Sequence, residues 1–269
     1  LEFECETIDV RYDPRRRGSY AKEFHKLRGR KGLTMEDAIR LLKTTTYFGP
    51  MMVHMGDADG YLGGISHNYP DIVKPCLQTI GPAMDTHRIV GMYMMTVNGQ
   101  LMFIGDATIN IYPDSRTLAE IAVQTAKVAR RFGVKPKVAM LSFSNFGTSG
   151  EMRTDRIEEA IEMAREIDPG IVIDGPMQAD TALIDEIQEN YPFMEFDGPA
   201  NVLICPNLAS ANIAYKLLQR VAGAEMTGPI LEGLAKPAHV LQRDDSVREV
   251  VHMAAICAVD AQRHATQKL

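Results

Sequence analysis

NVLICPNLASANIAYKLLQRVA occupies residues 201–222 and joins an apolar run to an amphipathic helix pattern. The same alternation occurs earlier, where the apolar runs KVAMLSFS (137–144) and IVIDG (171–175) each lie next to a helix pattern. Continuous apolar strands separated by helices are typical of a mostly parallel sheet that is covered on both faces. The sequence therefore predicts an α/β fold.

The first third of the chain is less regular. Residues 11–32 are polar, and Arg15-Arg16-Arg17 within them favours a solvated loop over a binding patch. A helix is predicted to begin near Thr34, a capping residue with an aspartate three positions on, and to end before residue 47. The apolar MMVHM (51–55) then predicts a strand, and a helix is expected around 70–81.

The middle and the end of the chain give clearer patterns. Residues 88–97 and 100–110 flank Asn98-Gly99, a pair that favours a two-residue hairpin turn. Helices are predicted over 115–132, 152–166, 181–190, 209–222 and 246–265, with a last strand over 228–233.

Composition narrows the class of protein. Hydrophobic residues make up 45% of the 269 residues and charged residues 24%, as in a globular protein. The net charge of −6 and the lack of a broad basic run argue against a nucleic-acid partner. No apolar run approaches the roughly 20 residues that span a bilayer. Four scattered cysteines without a CxxC pair argue against a disulfide framework and indicate a reducing cytoplasm.

Several common site signatures are absent from the sequence. No GxGxxG follows a strand, and there is no GK[ST] phosphate loop, HExxH or GxSxG. Asp57 and Asp59 lie in a glycine-rich turn, where turn chemistry is a better interpretation than a metal pair. We therefore expect no dinucleotide site and no metal site in this chain.

Longer motifs carry a resemblance. GPANVLICPNLASANIAYKLLQRVAGAEMTGPILEGLAKP (198–237) resembles the phosphotransacetylase family, as do TYFGPMMVHMGDADGYLGGISHNYPDIVKPCLQTIG (46–81) and VAMLSFSNFG (138–147). The resemblance covers essentially the whole chain. It implies two α/β subdomains with a cleft between them, an architecture similar to isocitrate and isopropylmalate dehydrogenases. Residues 1–80 plus 232–269 would form the first subdomain, and residues 81–231 the second, which would carry a homodimer interface.

Three motifs are similar to a narrower group, the C-terminal phosphotransacetylase-like domain of bacterial hybrid NADP-dependent malic enzymes. They are NYPD (68–71), SNFGTSGEMR (144–153) and KPAHVLQR (236–243). This likeness implies a regulatory domain that binds acetyl-CoA as an allosteric effector, inhibitory and without acetyl transfer. The malate-oxidising domain, with its NADP and divalent metal, is then expected upstream of Leu1 in one polypeptide that forms a higher oligomer.

The chemistry of the family indicates which residues to examine. Acetyl transfer between CoA and phosphate needs a base for the thiol, a donor for the carbonyl oxygen and cations for the phosphates. The resemblance implies a serine, an arginine and an aspartate at the positions of Gln242, Arg243 and Glu249. Ser246 and Glu249 also have the spacing of a capping box, which would hold the glutamate away from a thiol. These three positions are therefore predicted to be a degenerate catalytic set, in which Gln242 and Arg243 still bind acetyl-CoA.

Further positions are expected to bind acetyl-CoA. Lys216 and Arg220 lie one helical turn apart, either as a solvated face or as an anion site, and the resemblance places a CoA-phosphate contact at Arg220. Lys74 stands where the family carries an arginine, which keeps the charge and loses the bidentate fork. Ser144 and Asn145 end a predicted strand, where ligands gather in open α/β sheets.

Three functions remain open from the sequence. The first is the regulatory acetyl-CoA-binding domain of a hybrid malic enzyme. The second is an active phosphate acetyltransferase, which Arg243 and Arg220 favour and Gln242 and Glu249 oppose. The third is an oligomerisation domain, which predicts no CoA binding.

Overall fold

The computed structural model describes residues 5–84, 86–146 and 155–266. The chain divides into two compact units, the first Leu1–Asp85 with Leu234–Leu269 and the second Thr86–Gly233. The boundaries predicted from the sequence were 80/81 and 231/232. The fold of the chain is mixed α/β with mostly parallel strand pairing, as the alternating pattern predicts.

Unit 1 contains a parallel strand pair with helices around it. β1 (Tyr61–Gly63) pairs with β8 (Ala238–Val240). The helices are α1 (Pro14–Arg28), α2 (Met35–Leu41), α3 (Thr45–Met55), α4 (Tyr69–Thr79) and α10 (Val247–Thr266). Aromatic and aliphatic side chains of α1 and α3, together with Ala38 and Leu42, form one buried cluster, and Val53, Cys76, Ile80 and Ala238 form a second.

Unit 2 is built on a six-stranded sheet with the order β5-β4-β6-β3-β2-β7. The strands are β2 (Val90–Val97), β3 (Gln100–Gly105), β4 (Val138–Leu141), β5 (Ile173–Met177), β6 (Val202–Ile204) and β7 (Glu225–Glu232). β5, β4, β6 and β3 run parallel, whereas β2 is antiparallel to β3 and β7. The helices are α5 (Ser115–Arg131), α6 (Asp155–Ile167), α7 (Ala179–Leu183), α8 (Asp185–Gln188) and α9 (Leu208–Val221).

The hairpin prediction is confirmed. β2 and β3 pair antiparallel up to Val97 and Gln100. The two turn residues both have positive φ, 50° at Asn98 and 79° at Gly99. Asparagine and glycine are the residues that tolerate this conformation best, so the local sequence fixes the turn.

The loop prediction for Arg15-Arg16-Arg17 is wrong, because these residues belong to α1. Asp13 is its N-cap and accepts a hydrogen bond from Arg16 N at 3.0 Å, and Pro14 is the first helical residue. Tyr20 and Phe24 lie on the buried face. The arginine run is therefore the first turn of an amphipathic helix.

The strand prediction for MMVHM is also wrong, because these residues belong to α3. Tyr47, Phe48, Met51 and Val53 are buried, a spacing that follows the helical period. A short apolar run looks the same in a buried strand and a buried helix, and the length of the surrounding element decides. Pro50 lies inside this helix.

The remaining helix predictions hold, except that one predicted helix is divided in two. The segment 181–190 forms α7 and α8, which Ile184 separates with an extended backbone. The segment 171–175 corresponds to a strand that begins two residues later, at Ile173. The predicted start of a helix at 152–154 lies outside the described residues. No helix in the described part of the chain is both long and apolar enough to cross a membrane.

Candidate functional site

The loop that follows β8 carries the first set of predicted site residues. Leu241 N donates to Gly63 O at 2.8 Å, which extends the contact between β1 and β8. Gly64 has a φ of 135°, and a Cβ there would lie 2.3 Å from Leu241 O. Only glycine tolerates both conditions, so this residue allows the chain to pass closely enough to fix the start of the loop.

A tight turn and a helix cap then shape the loop. Gln242 N donates to Asp245 Oδ2 at 2.7 Å, and Asp245 N donates to Gln242 O at 3.2 Å. Ser246 N donates to Glu249 Oε2 at 2.6 Å, and Glu249 N donates to Ser246 Oγ at 3.3 Å. These reciprocal bonds are a capping box, as the spacing predicts. Glu249 is therefore engaged in starting α10.

Asp245 is the titratable residue of this loop that the sequence reasoning missed. Its side chain is partly buried. Burial is the main cause that raises the pKa of the Asp245 carboxyl, the bond from Gln242 N lowers it, and the negative charges of Glu249 and Asp244 raise it, with a net pKa of about 6. A carboxylate with this pKa is ionised at neutral pH and is well matched to proton transfer there. The paired aspartates were visible in the sequence, but the burial of one was not.

The predicted cations are exposed within their own units. Arg243 is exposed in the loop after β8, and Lys74 is exposed on α4. Lys216 and Arg220 are exposed one turn apart on α9, and Lys216 Nζ lies 5.1 Å from the centre of the Tyr215 ring. Exposed like charges on one helical face suit an anionic ligand.

Ser144 and Asn145 are buried in the loop after β4. Asn145 Nδ2 donates to Gln178 Oε1 at 3.2 Å and to Tyr191 OH at 3.1 Å, and its Oδ1 accepts from Gln178 N at 2.7 Å. The Asn145 side-chain amide thus joins the loop after β4 to the segment after β5. Asn145 therefore shapes the end of the sheet, and its contact with a ligand stays a prediction.

A pocket of about 780 Å³ opens at the carboxyl ends of β4 and β6 in unit 2. Apolar side chains and a smaller polar group line it; the polar or titratable members are Ser142, Arg156, Cys205, Asn207 and Ser210. Asn207 is the N-cap of α9 and accepts from Ser210 N at 3.0 Å. Concave sites at the carboxyl ends of parallel strands, next to a helix N-terminus, are where α/β proteins bind anionic ligands.

Cys205 in this pocket is not an activated nucleophile. It is buried, and burial raises the pKa of its thiol to about 12. A thiol reacts as the thiolate, so Cys205 stays protonated and inert at neutral pH. The surroundings of this residue therefore do not favour covalent catalysis.

The comparison with protein families decides the family. The model described as phosphate acetyl/butaryl transferase matches residues 2–258. The chain belongs to this family. The resemblance to phosphotransacetylases seen in the long motifs is thereby confirmed.

Individual family members agree over most of the chain. The chain is 38% identical over 250 residues to the phosphate acetyltransferase of Corynebacterium glutamicum, covering 93% of this chain and 76% of that protein. It is 38% identical to the phosphate acetyltransferase of Bacillus subtilis, covering 86% and 72%. The phosphotransacetylase structure from Streptococcus pyogenes superposes with a TM-score of 0.85 at 37% identity, covering 91% of this chain and 75% of that one. The phosphotransacetylase from Staphylococcus aureus gives 0.83 at 34%, covering 97% and 79%.

The narrower expectation of a regulatory domain in a hybrid malic enzyme is contradicted by these comparisons. The relatives at 36–39% identity are named phosphate acetyltransferase. Malate oxidation, oxidoreductase chemistry and NADP therefore do not describe this chain. The motifs that suggested them are short, whereas the agreement with acetyltransferases extends over almost the full length.

Proposed function

We propose that this protein transfers an acetyl group between CoA and phosphate. The observation that carries the proposal is the 38% identity over 93% of the chain to a phosphate acetyltransferase, joined to a matching fold. The acetyl group moves when the CoA thiolate attacks the carbonyl carbon of acetyl phosphate. The C–S bond forms, the bond between the carbonyl carbon and the oxygen that bridges to phosphorus breaks, and phosphate leaves with the electron pair of that bond. The reverse reaction consumes acetyl-CoA.

The loop after β8 supplies the groups that this chemistry needs. We assign the base to Asp245, because its carboxylate, with a pKa of about 6, can accept the proton of a thiol whose ordinary pKa is about 8.5. Arg243 is exposed and positively charged, so it can pair with a phosphoryl or carbonyl oxygen. The Gln242 side-chain amide is a hydrogen-bond donor suited to a developing oxyanion.

This assignment differs from the one that the family resemblance suggested. Glu249 occupies the aspartate position, and its Oε2 accepts from Ser246 N at 2.6 Å much as Asp245 Oδ2 accepts from Gln242 N at 2.7 Å, so the raised pKa of Asp245 is what favours Asp245 as the base. Gln242 occupies the serine position and donates with an amide where the serine would use a hydroxyl. We therefore propose the reaction of the family, with the proton of the thiol accepted by a carboxylate four residues earlier in the chain than Glu249.

The test is acetyl-CoA formation from acetyl phosphate and CoA by the purified protein, measured as thioester absorbance across pH 5–9. We expect wild-type turnover with an acidic limb near pH 6, and at least a hundredfold loss of kcat in Asp245→Asn. Asp245→Glu should restore part of the rate. Turnover in Asp245→Asn with an unchanged pH profile would exclude Asp245 as the base.

We also propose that the protein is a homodimer through unit 2. The side chains of Ile213, Leu217 and Val221 on α9 are 59%, 56% and 81% exposed and follow one another at intervals of one turn. An apolar stripe of this kind is typical of a surface that a partner covers. Lys216 and Arg220 flank it with charge.

A further inference from the structure

Arg156 is a charged side chain in the wall of the unit 2 pocket that neither the sequence reasoning nor the family resemblance singled out. It lies in the first turn of α6 and is partly buried. Nη1 donates to Pro113 O and Nη2 donates to Pro206 O, each at 3.0 Å. Both acceptors are neutral carbonyls, so these bonds place the guanidinium without neutralising it.

The guanidinium lacks a counter-charge within the described residues, where no carboxylate lies within ion-pair distance of it. Its Nε is buried and has no hydrogen-bond acceptor. The neighbouring carboxylate on α6, Glu159, is engaged by the hydroxyl of Ser115. A partly buried cation with unused N–H groups is costly unless an anion approaches it.

Other donors surround the same cavity. Ser142 directly follows β4 and lines the pocket. Its backbone N–H donates a hydrogen bond to Met177 O. Its hydroxyl has no hydrogen-bond partner in the described part of the chain. The N-terminus of α9 reaches the pocket at Asn207 and Ser210 and adds the positive end of a 14-residue helix. The pocket therefore combines a full positive charge, a free hydroxyl and a helix dipole of the same sign.

We propose that this pocket is a phosphoryl-binding site in which Arg156 is the charged ligand and Ser142 a second donor. The inference rests on the proposed function, because the phosphorylated substrates of acetyl transfer supply the ligand class. A tetrahedral phosphoryl group offers several acceptor oxygens and the charge that the guanidinium lacks. Inorganic phosphate and the phosphate groups of CoA share this chemistry.

The test is isothermal titration calorimetry of the intact protein at constant ionic strength. The ligands are inorganic phosphate, CoA and dephospho-CoA, which lacks the 3′-phosphate of CoA. We expect Arg156→Met to weaken binding of at least one ligand about tenfold or more, as the loss of a charge-assisted hydrogen bond implies. Arg165→Met is the matched control, because Arg165 lies on the same helix and also donates to a carbonyl, Ile173 O, at 3.2 Å. Its affinities should equal those of the wild type.

A second variant separates binding from the role of Arg156 in bridging two loops. Ser142→Asp places a negative charge in the pocket and leaves the bonds to Pro113 and Pro206 in place, so it should weaken the same ligand at least as strongly. A loss of affinity for inorganic phosphate identifies the acceptor substrate as the occupant of the pocket. A loss of affinity for CoA that is not seen for dephospho-CoA identifies the 3′-phosphate of CoA as the occupant. Unchanged affinity for all ligands in both variants overturns the site. Because titration needs no turnover, phosphate binding by an inactive protein would contradict the acetyltransferase function and leave the site standing.

Discussion

At the scale of single residues, Asp245 is where the stability of the fold and the proposed proton transfer make opposite demands on one carboxyl group. A carboxyl whose pKa is raised to about 6 favours its neutral form in the folded protein, so ionisation costs folding free energy. In a small α/β protein that cost is tolerated when the charged form is needed. The turn that Asp245 closes on Gln242 N explains how the chain keeps the carboxyl in place at this cost.

The stability of Asp245→Asn should therefore depend on pH in a defined direction. The folded pKa lies above the unfolded one, so the wild type is least penalised at pH 4 and most penalised above pH 6. Asparagine can still accept from Gln242 N and carries no charge. Since Asp245 is only partly buried, we expect the mutant to melt about 2 °C higher at pH 8 and at about the wild-type temperature at pH 4. A difference in melting temperature that is constant with pH would refute this prediction.

Sequence reasoning at this scale identified some residues and missed others for one reason. The capping pair Ser246 and Glu249 depends on a spacing of three residues and was predicted. The placement of Arg156 depends on carbonyls 43 and 50 residues away, and burial of Asp245 depends on the packing of its surroundings. Contacts between distant parts of the chain are set by tertiary structure, which local patterns do not contain.

At the scale of elements, the start of α10 is where a catalytic and a structural interpretation of Glu249 can be separated. Glutamine can replace glutamate in a capping box, because its side-chain oxygen accepts the same bond from Ser246 N. Glu249→Gln should change the free energy of unfolding by only a few tenths of a kcal/mol, whereas Glu249→Ala should lower it by about 1 kcal/mol.

The same pair of variants reports on activity. Glu249→Gln should retain turnover within a few-fold of the wild type, since the proposed base is Asp245. Chemical denaturation and the acetyl-CoA assay measure the two effects on the same preparations. A hundredfold loss of kcat in Glu249→Gln with unchanged stability would return the base to Glu249.

Elements also show where sequence patterns were ambiguous. The helices of unit 2 were predicted because α5 and α9 are long and strongly periodic. α3 resembles a strand in sequence because its apolar run is only five residues long and its single polar residue, His54, is too little to reveal a period. α1 begins at a helix start signal, Asp13 followed by Pro14, but the three arginines in its first turn are also typical of a solvated loop.

At the scale of the whole molecule, the exposed stripe on α9 predicts assembly. Leu217→Lys places a charge in the centre of the stripe and should convert a dimer to a monomer, as measured by light scattering during size-exclusion chromatography. Ile167→Lys is the control, because Ile167 is 45% exposed at the end of α6 and does not belong to the stripe on α9. A monomeric wild type, or an equal effect of both variants, would contradict the proposed interface.

The fold class was readable from the whole sequence, whereas the function was not. Alternating apolar runs and helices are a global property, and they predicted the mixed α/β fold with mostly parallel strands. The functional choice between a regulatory domain and an enzyme rested on a few positions, Gln242 and Glu249 above all. Agreement with acetyltransferases over 93% of the chain favours the enzyme, for which we propose that Asp245 is the base and the Gln242 amide the donor.

Acetyl transfer is tested most directly by the phosphate-dependent release of free CoA from acetyl-CoA. The purified protein and the Corynebacterium glutamicum relative would be assayed side by side, with a phosphate-free reaction as the blank. We predict that turnover saturates with phosphate, that its rate is within about a hundredfold of the rate of the relative, and that it falls sharply in Asp245→Asn. No phosphate-dependent turnover by a folded protein that still binds acetyl-CoA would contradict it.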